Sequence, residues 1–224
     1  MKIVLKIGGS IVFPNKIDVD VIKNLSKQII SLSNTHQFLI VVGGGTIARE
    51  YLAALKSLGK DDTFLDFVGM DVARLNATLF MASLGDKAPA EVSKDFKHAL
   101  STLYAGKIPL LGGTHPGHTT DAVSSMLAEF VNADLFVRFT NVDGVYDKDP
   151  RKFSDAKKYE KLSHEKLLDI VEDTRAEAGV NTVIDPLAAK ILKRAKIKTI
   201  VVGKEEIKNI KAVIEGKHKG TEIS

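Results

Sequence analysis

The chain has 224 residues, 44% hydrophobic and 27% charged, a globular balance that excludes disordered and fibrous classes. It has no cysteine, so disulfides and thiolate metal sites are excluded and a cytoplasmic setting is the default expectation. Lys and Arg number 32 against 28 Asp and Glu, a net charge of +4 without a run of five like charges; no nucleic-acid arm is expected, and no apolar stretch reaches the ~18 residues of a membrane span.

The first element, residues 3–7, is a nearly continuous apolar run interrupted by Lys6 and ending in Gly8-Gly9-Ser10. Such runs read as strands covered on both faces. Val21, Ile22, Leu25, Ile29 and Leu32 then repeat at helical spacing. A second strand, residues 38–42, runs into Gly43-Gly44-Gly45, and a helix carrying Ala48, Leu52, Leu55 and Leu58 follows, with Arg49 near its start. Residues 63–84 form the longest helical pattern, with Leu65, Val68, Val72, Leu75 and Leu79 on one stripe and Gly85 as its stop. A third strand, residues 108–111, ends at Gly112-Gly113 and leads to a loop of hydroxyls and imidazoles, Thr114 to Asp121. Helix 121–131, strand 135–140, a turn at 141–150 with a protruding Tyr146, and a polar loop at 147–158 come next. Asp185 caps a helix with Pro186 in its first turn, and strand 199–202 closes the pattern. Strands alternating with helices predict a doubly wound α/β sandwich, and no composition break divides it, so a single two-lobed unit is expected.

The chemistry collects where glycines follow strands. Each of the three glycine clusters lets backbone N–H groups approach an anion, and a helix expected after each would point its positive end at the same place. Ligands of an open α/β sheet bind beyond the carboxyl ends of its strands. Three such turns together point to more than one phosphate. The P-loop pattern is absent. Gly43, Gly45 and Ala48 match a dinucleotide fingerprint, but its acidic partner would be Asp66, which falls inside a helix, so the match is rejected. Lys6 within an apolar strand is costly unless something negative meets it. Arg49, at the start of the helix after the triple glycine, reads equally as a phosphate contact and as a surface helix charge. Asp66 reads equally as the acidic end of a capping box begun by Thr63. His115 and His118 lack a third ligand nearby, so zinc is not expected. Thr119, Thr120 and Asp121 serve either as helix caps or to orient a nucleotide and a lysine.

Lys6-Ile7-Gly8-Gly9-Ser10, Val42-Gly43-Gly44-Gly45, Thr119-Thr120-Asp121 and Thr140-Asn141-Val142-Asp143-Gly144-Val145-Tyr146 together resemble the motifs of the amino-acid kinase superfamily. Their spacing is most similar to the archaeal-type uridylate (UMP) kinases, over essentially the whole chain, including Gly220-Thr221-Glu222-Ile223. The resemblance implies a three-layer αβα sandwich around a mainly parallel sheet, with an acceptor lobe at about 1–135 and an ATP lobe at about 136–224. It implies transfer of a phosphoryl group from ATP to UMP with Mg²⁺, by a homohexamer built as a trimer of dimers. Carried over by motif, Lys6 stabilises charge on the transferring group and Asp121 orients lysine and metal. Gly9, Ser10, Gly45, Arg49, Thr140, Tyr146 and Asp149 contact ATP. Gly44, Asp66, Thr114, His115, Pro116, Gly117, His118, Thr119 and Thr120 hold UMP. The second catalytic lysine of some relatives has no motif here, and Lys190 is not assigned that role. Isopentenyl phosphate kinases share the opening motif but carry histidines where this chain has Val42 and Ala48-Arg49. Acetylglutamate kinases are less similar still, and an anion-storage protein on the same fold is the non-enzymatic alternative.

Overall fold

The computed structural model describes residues 1–176 and 184–224. Its seven-stranded sheet contains β1 (Lys2–Ile7), β2 (Gln37–Val42), β3 (Leu110–Leu111), β4 (Leu135–Thr140), β7 (Lys161–Leu162), β8 (Thr199–Gly203) and β9 (Thr221–Ile223). The order is β3-β2-β1-β4-β8-β9-β7, and every pairing is parallel except β8 with β9. A small antiparallel pair, β5 (Val145–Tyr146) and β6 (Lys158–Tyr159), stands beside it. Because β3, β2, β1 and β4 are parallel neighbours, the loops after them open on one edge.

Helices cover both faces of the sheet. On one face Ile3, Leu5 and Ile7 pack with α2 (Val19–Leu32), α4 (Asp62–Ser83) and α9 (Ile210–Ile214) through Leu25, Ile29, Phe80 and Val213. On the other, Val4, Val41 and Phe136 pack with α5 (Phe96–Tyr104), α6 (Thr120–Phe130) and α8 (Pro186–Ala195) through Leu103, Leu127 and Leu192. A third cluster joins Leu167 and Val171 of α7 (His164–Ala176) to Val201 and Ile223. Burying each such side chain contributes about 1.5–3 kcal/mol before entropy is counted. The α1 turn (Gly9–Val12) and α3 (Gly45–Ser57) follow the first two glycine clusters; α3 buries only Ala48 and lies along α4. Asp18, Asp61, Asp95, Thr119 and Asp185 each accept an N-terminal backbone N–H of their helix, contacts worth about 1 kcal/mol apiece.

Three expectations change. The capping box from Thr63 to Asp66 does not form: α4 starts one residue earlier, and Asp61 caps it by accepting from the N–H of Phe64 at 2.8 Å. The third strand is shorter than 108–111. Ile108 donates its N–H to Lys87 O outside the sheet, and Pro109 has no N–H to give. No helix opens directly at Gly112-Gly113; residues 114–119 form a loop before α6 begins. Asp185 and Pro186 open α8 as expected. Among the described residues no helix is long and apolar enough to cross a membrane.

Candidate active site

Two of the glycine turns are in backbone contact at the open edge. A Cβ on Gly9 would lie 2.1 Å from Gly45 N, and a Cβ on Gly45 would lie 2.7 Å from Gly9 C and O. Gly45 also holds φ +69°, which only glycine adopts freely. No side chain fits between these loops, so backbone forms the floor. Gly8 N–H bonds Phe139 O at 3.1 Å, and Gly43 N–H bonds Ile7 O at 3.0 Å, which fixes both turns to the sheet.

Three polar side chains of α4 organise this edge. Asn76, 2% exposed, donates to Gly43 O at 2.9 Å and to Gly44 O at 3.0 Å. Arg74 Nε donates to Gly113 O at 3.1 Å. Asp66 Oδ2 accepts the Gly117 N–H at 2.6 Å, so its carboxylate braces the Thr114–Thr120 loop from which α6 starts. Arg74 and Asn76 belong to no sequence motif; the one mark Asn76 carries is that of a polar residue on the buried stripe of a long helix.

Lys6 and Arg138 are register partners on adjacent strands β1 and β4, and both point toward α6, alongside Val4 and Phe136. Between them stands Asp121 in the first turn of α6. Lys6 Nζ lies 2.8 Å from Asp121 Oδ1. Arg138 binds the same carboxylate with both arms, Nε to Oδ1 at 3.0 Å and Nη2 to Oδ2 at 2.8 Å. Lys6 and Arg138 are 6% and 8% exposed. Burial lowers the Lys6 ammonium below its ordinary value, against the pull of Asp121. For Asp121 burial acts to raise the carboxyl, but Arg138 and Lys6 outweigh it and hold it well below the usual carboxylate range. Lys6 is therefore a buried, paired cation and not a strand-end lysine reaching for water. Arg138 was not singled out in the sequence, although it interrupts its strand just as Lys6 does.

The other expected residues divide. Ser10 accepts from Asn141 Nδ2 at 2.8 Å, joining the first glycine turn to the end of β4, where Thr140 lies. Ser10, Thr46, Arg49, Asn141 and Lys204 line an open cavity of about 690 Å³, and Arg49 donates to Thr46 Oγ at 3.0 Å. Tyr146 and Asp149 do not line it. The Tyr146 hydroxyl donates to Asp143 at 2.6 Å; burial and that bond raise the phenol to about 12. Asp149 is clasped by Arg151 through Nε at 2.9 Å and Nη2 at 2.8 Å. His115 and His118 have ring centroids 6.4 Å apart on the exposed loop. Thr119 caps α6 by accepting from the Ala122 N–H, and the Thr120 hydroxyl lies 3.3 Å from where a Cβ on Gly43 would sit. Lys190 pairs with Glu172 of α7 at 3.3 Å.

Residues 1–203 match the model of the amino acid kinase family. The uridylate kinase of Pyrococcus abyssi is 49% identical, covering 100% of this chain and 99% of its own. That of Thermococcus sibiricus is 47% identical, covering 99% and 98%. The crystal structure of uridylate kinase from Archaeoglobus fulgidus has a TM-score of 0.89 and 42% identity, covering 100% of both chains.

Proposed function

The chain belongs to the amino acid kinase family, and from that premise we propose that it is a kinase of uridylate, transferring the γ-phosphoryl group of ATP to UMP. The observation that carries the reading is the meeting of two glycine turns, the Asp66-braced loop and buried Lys6 at one sheet edge. An oxygen of the UMP phosphate forms a bond to Pγ while the bond from Pγ to the bridging oxygen of ADP breaks, and the leaving electron pair stays on ADP. Little covalent work falls to the protein; positioning and cationic stabilisation suffice.

In this reading the Thr114–Thr120 loop, with His115, Pro116, Gly117 and His118 at its tip, receives UMP, and Asp66 and Gly44 complete that side. Gly9, Ser10, Gly45 and Arg49 take the ATP phosphates, and Thr140, Tyr146 and Asp149 line the adenine nucleotide's side. UMP and the ATP phosphates thus meet on the lobe at about 1–135, and the adenine nucleotide's side lies on the lobe at about 136–224. Tyr146 and Asp149 must contribute with their side chains already bonded, to Asp143 and Arg151. Asp121 orients the Lys6 ammonium. Bound to ATP, magnesium would supply charge compensation for the phosphates. Both Asp121 oxygens are already engaged, and among the described residues no three acidic or histidine side chains form a metal cage, so no protein ligand is assigned to it. The substrates put the work in the cytoplasm.

The test is a panel of UMP, CMP, AMP and isopentenyl phosphate with Mg-ATP, read by product chromatography. UDP should dominate; comparable turnover of another acceptor refutes the assignment.

A further inference from the structure

A lysine and an aspartate alone would form a neutral pair, and a neutral pair offers little to an incoming anion. The cluster in the sheet has a third member. Arg138 lies directly across the strand pairing from Lys6 and occupies both oxygens of Asp121, at 3.0 and 2.8 Å. Two cations thus share one carboxylate, all three side chains at or below 13% exposure. Among the described residues, no other charged side chain weighs on Lys6 or on Asp121. One atom of the cluster also lacks a partner: Arg138 Nη1 is buried with no hydrogen bond. A guanidinium kept only to tie β4 to α6 would be a poor device, because a buried ion pair is seldom better than apolar packing of the same volume. An orphaned guanidinium nitrogen adds a further desolvation cost.

We propose that Arg138 is a positioning residue for phosphoryl transfer: by claiming the Asp121 carboxylate it leaves the buried cluster one positive charge in excess, and that charge is neutralised by the transferring phosphoryl group. This rests on the kinase reading above. The excess is costly in the empty site and is relieved as negative charge gathers on the equatorial phosphoryl oxygens, so the contact is stronger in the transition state than before it. Lys6 is then held by Asp121 without being cancelled by it.

Three proteins decide the matter: wild type, Arg138→Lys and Arg138→Met. Each is assayed for kcat and both KM values, and titrated calorimetrically, without UMP, with Mg-ADP and with the non-hydrolysable Mg-AMP-PNP. Arg138→Met should lose ~10–100-fold in kcat, less than the ~10²–10³ typical of removing a direct charge contact, with the KM for UMP changed less than about threefold. It should bind Mg-AMP-PNP more weakly while Mg-ADP is unchanged, and Arg138→Lys, which keeps the charge, should recover most of both losses. The proposal is overturned if Arg138→Met keeps kcat within about threefold, if Arg138→Lys is no better than Arg138→Met, or if both nucleotides weaken equally. Should Arg138→Met fail to fold, Arg138→Gln takes its place. A wild type that binds Mg-AMP-PNP but leaves UMP untouched overturns the acceptor assignment alone, since the titrations need no UMP.

Discussion

Asp66 and Gly117 are 51 residues apart in sequence, and the carboxylate of the first accepts the backbone N–H of the second at 2.6 Å. Gly117 holds φ +80°, so the loop turns at the residue that α4 grips. Asp66 spends one oxygen on this bond.

Asp66→Asn keeps the shape and loses the charge. A hydrogen bond to a charged partner contributes about 1.5–3 kcal/mol, so the KM for UMP should rise roughly tenfold to a hundredfold. The KM for ATP should hardly change. Since Asp61 caps α4 and an amide oxygen at position 66 can still accept the Gly117 N–H, Tm should fall by no more than a few degrees. A large drop in Tm with an unchanged KM for UMP would make Asp66 a structural brace only.

Lys6→Ala removes the ammonium but leaves Asp121 bound to Arg138. Loss of one preorganised charge contact typically costs ~10²–10³ in turnover. Expected is a fall in kcat of that size with both KM values within a few-fold; kcat within threefold of wild type would return Lys6 to a structural role.

Asn76→Ala leaves the carbonyls of Gly43 and Gly44 without their shared donor. An unsatisfied buried carbonyl costs about 1–3 kcal/mol. Denaturant unfolding should show a loss of that order, and kcat/KM should drop for both substrates because the turn they share loosens. Unchanged stability would mean that water replaces the amide.

Acid stability reports on Asp121. Its carboxyl lies below the unfolded value near 3.9, so the folded state binds fewer protons, and the stabilisation present at neutral pH is lost as pH falls below about 4 through the folded-state value. Asp121→Asn should cost about 3–5 kcal/mol at pH 7, because Lys6 and Arg138 are left buried and unpaired. Unfolding free energies of the two proteins should converge between pH 5 and pH 2. A constant gap across that range would show that Asp121 does not titrate with unfolding.

The homohexamer that the family resemblance implies needs an apolar outer face to build on. Phe64, Phe67 and Leu75 stand exposed on α4, and Tyr51 and Leu58 on and just past α3, an apolar face suited to a second copy. A hexamer should scatter light as about six times 24.3 kDa. A monomer at micromolar concentration refutes the assembly, and a stable dimer refutes the hexamer but leaves a dimer contact standing.

The strands β1, β2, β4 and β8 are legible in the sequence as nearly unbroken apolar runs, α2 and α4 by apolar residues repeating at helical spacing, and α8 by its Asp185-Pro186 start. The two-residue strands β5, β6 and β7 are not, since a period of two cannot show in two residues. Helices α5 and α7 were passed over because each shows only a short or polar-rich apolar stripe. The start of α4 was displaced because Asp61, Asp62 and Thr63 are all capable caps, and only the geometry chooses Asp61. Lys6 was found as a charge in an apolar strand. Arg138 carries the same mark, but its meaning depends on being beside Lys6, and register between strands 132 positions apart is not written in either one.

The helix α4 is also a ruler. Asp66 and Asn76 are ten positions apart on it, which at 1.5 Å per residue fixes about 15 Å between the loop gripped at one end and the glycine turn gripped at the other. Both contacts are made by short side chains, so neither has slack to take up an error. One residue inserted between them would turn Asn76 by about 100° and carry it off the glycine turn, whatever residue was added. The length of this stretch of α4 is therefore under tighter constraint than the identity of its exposed residues.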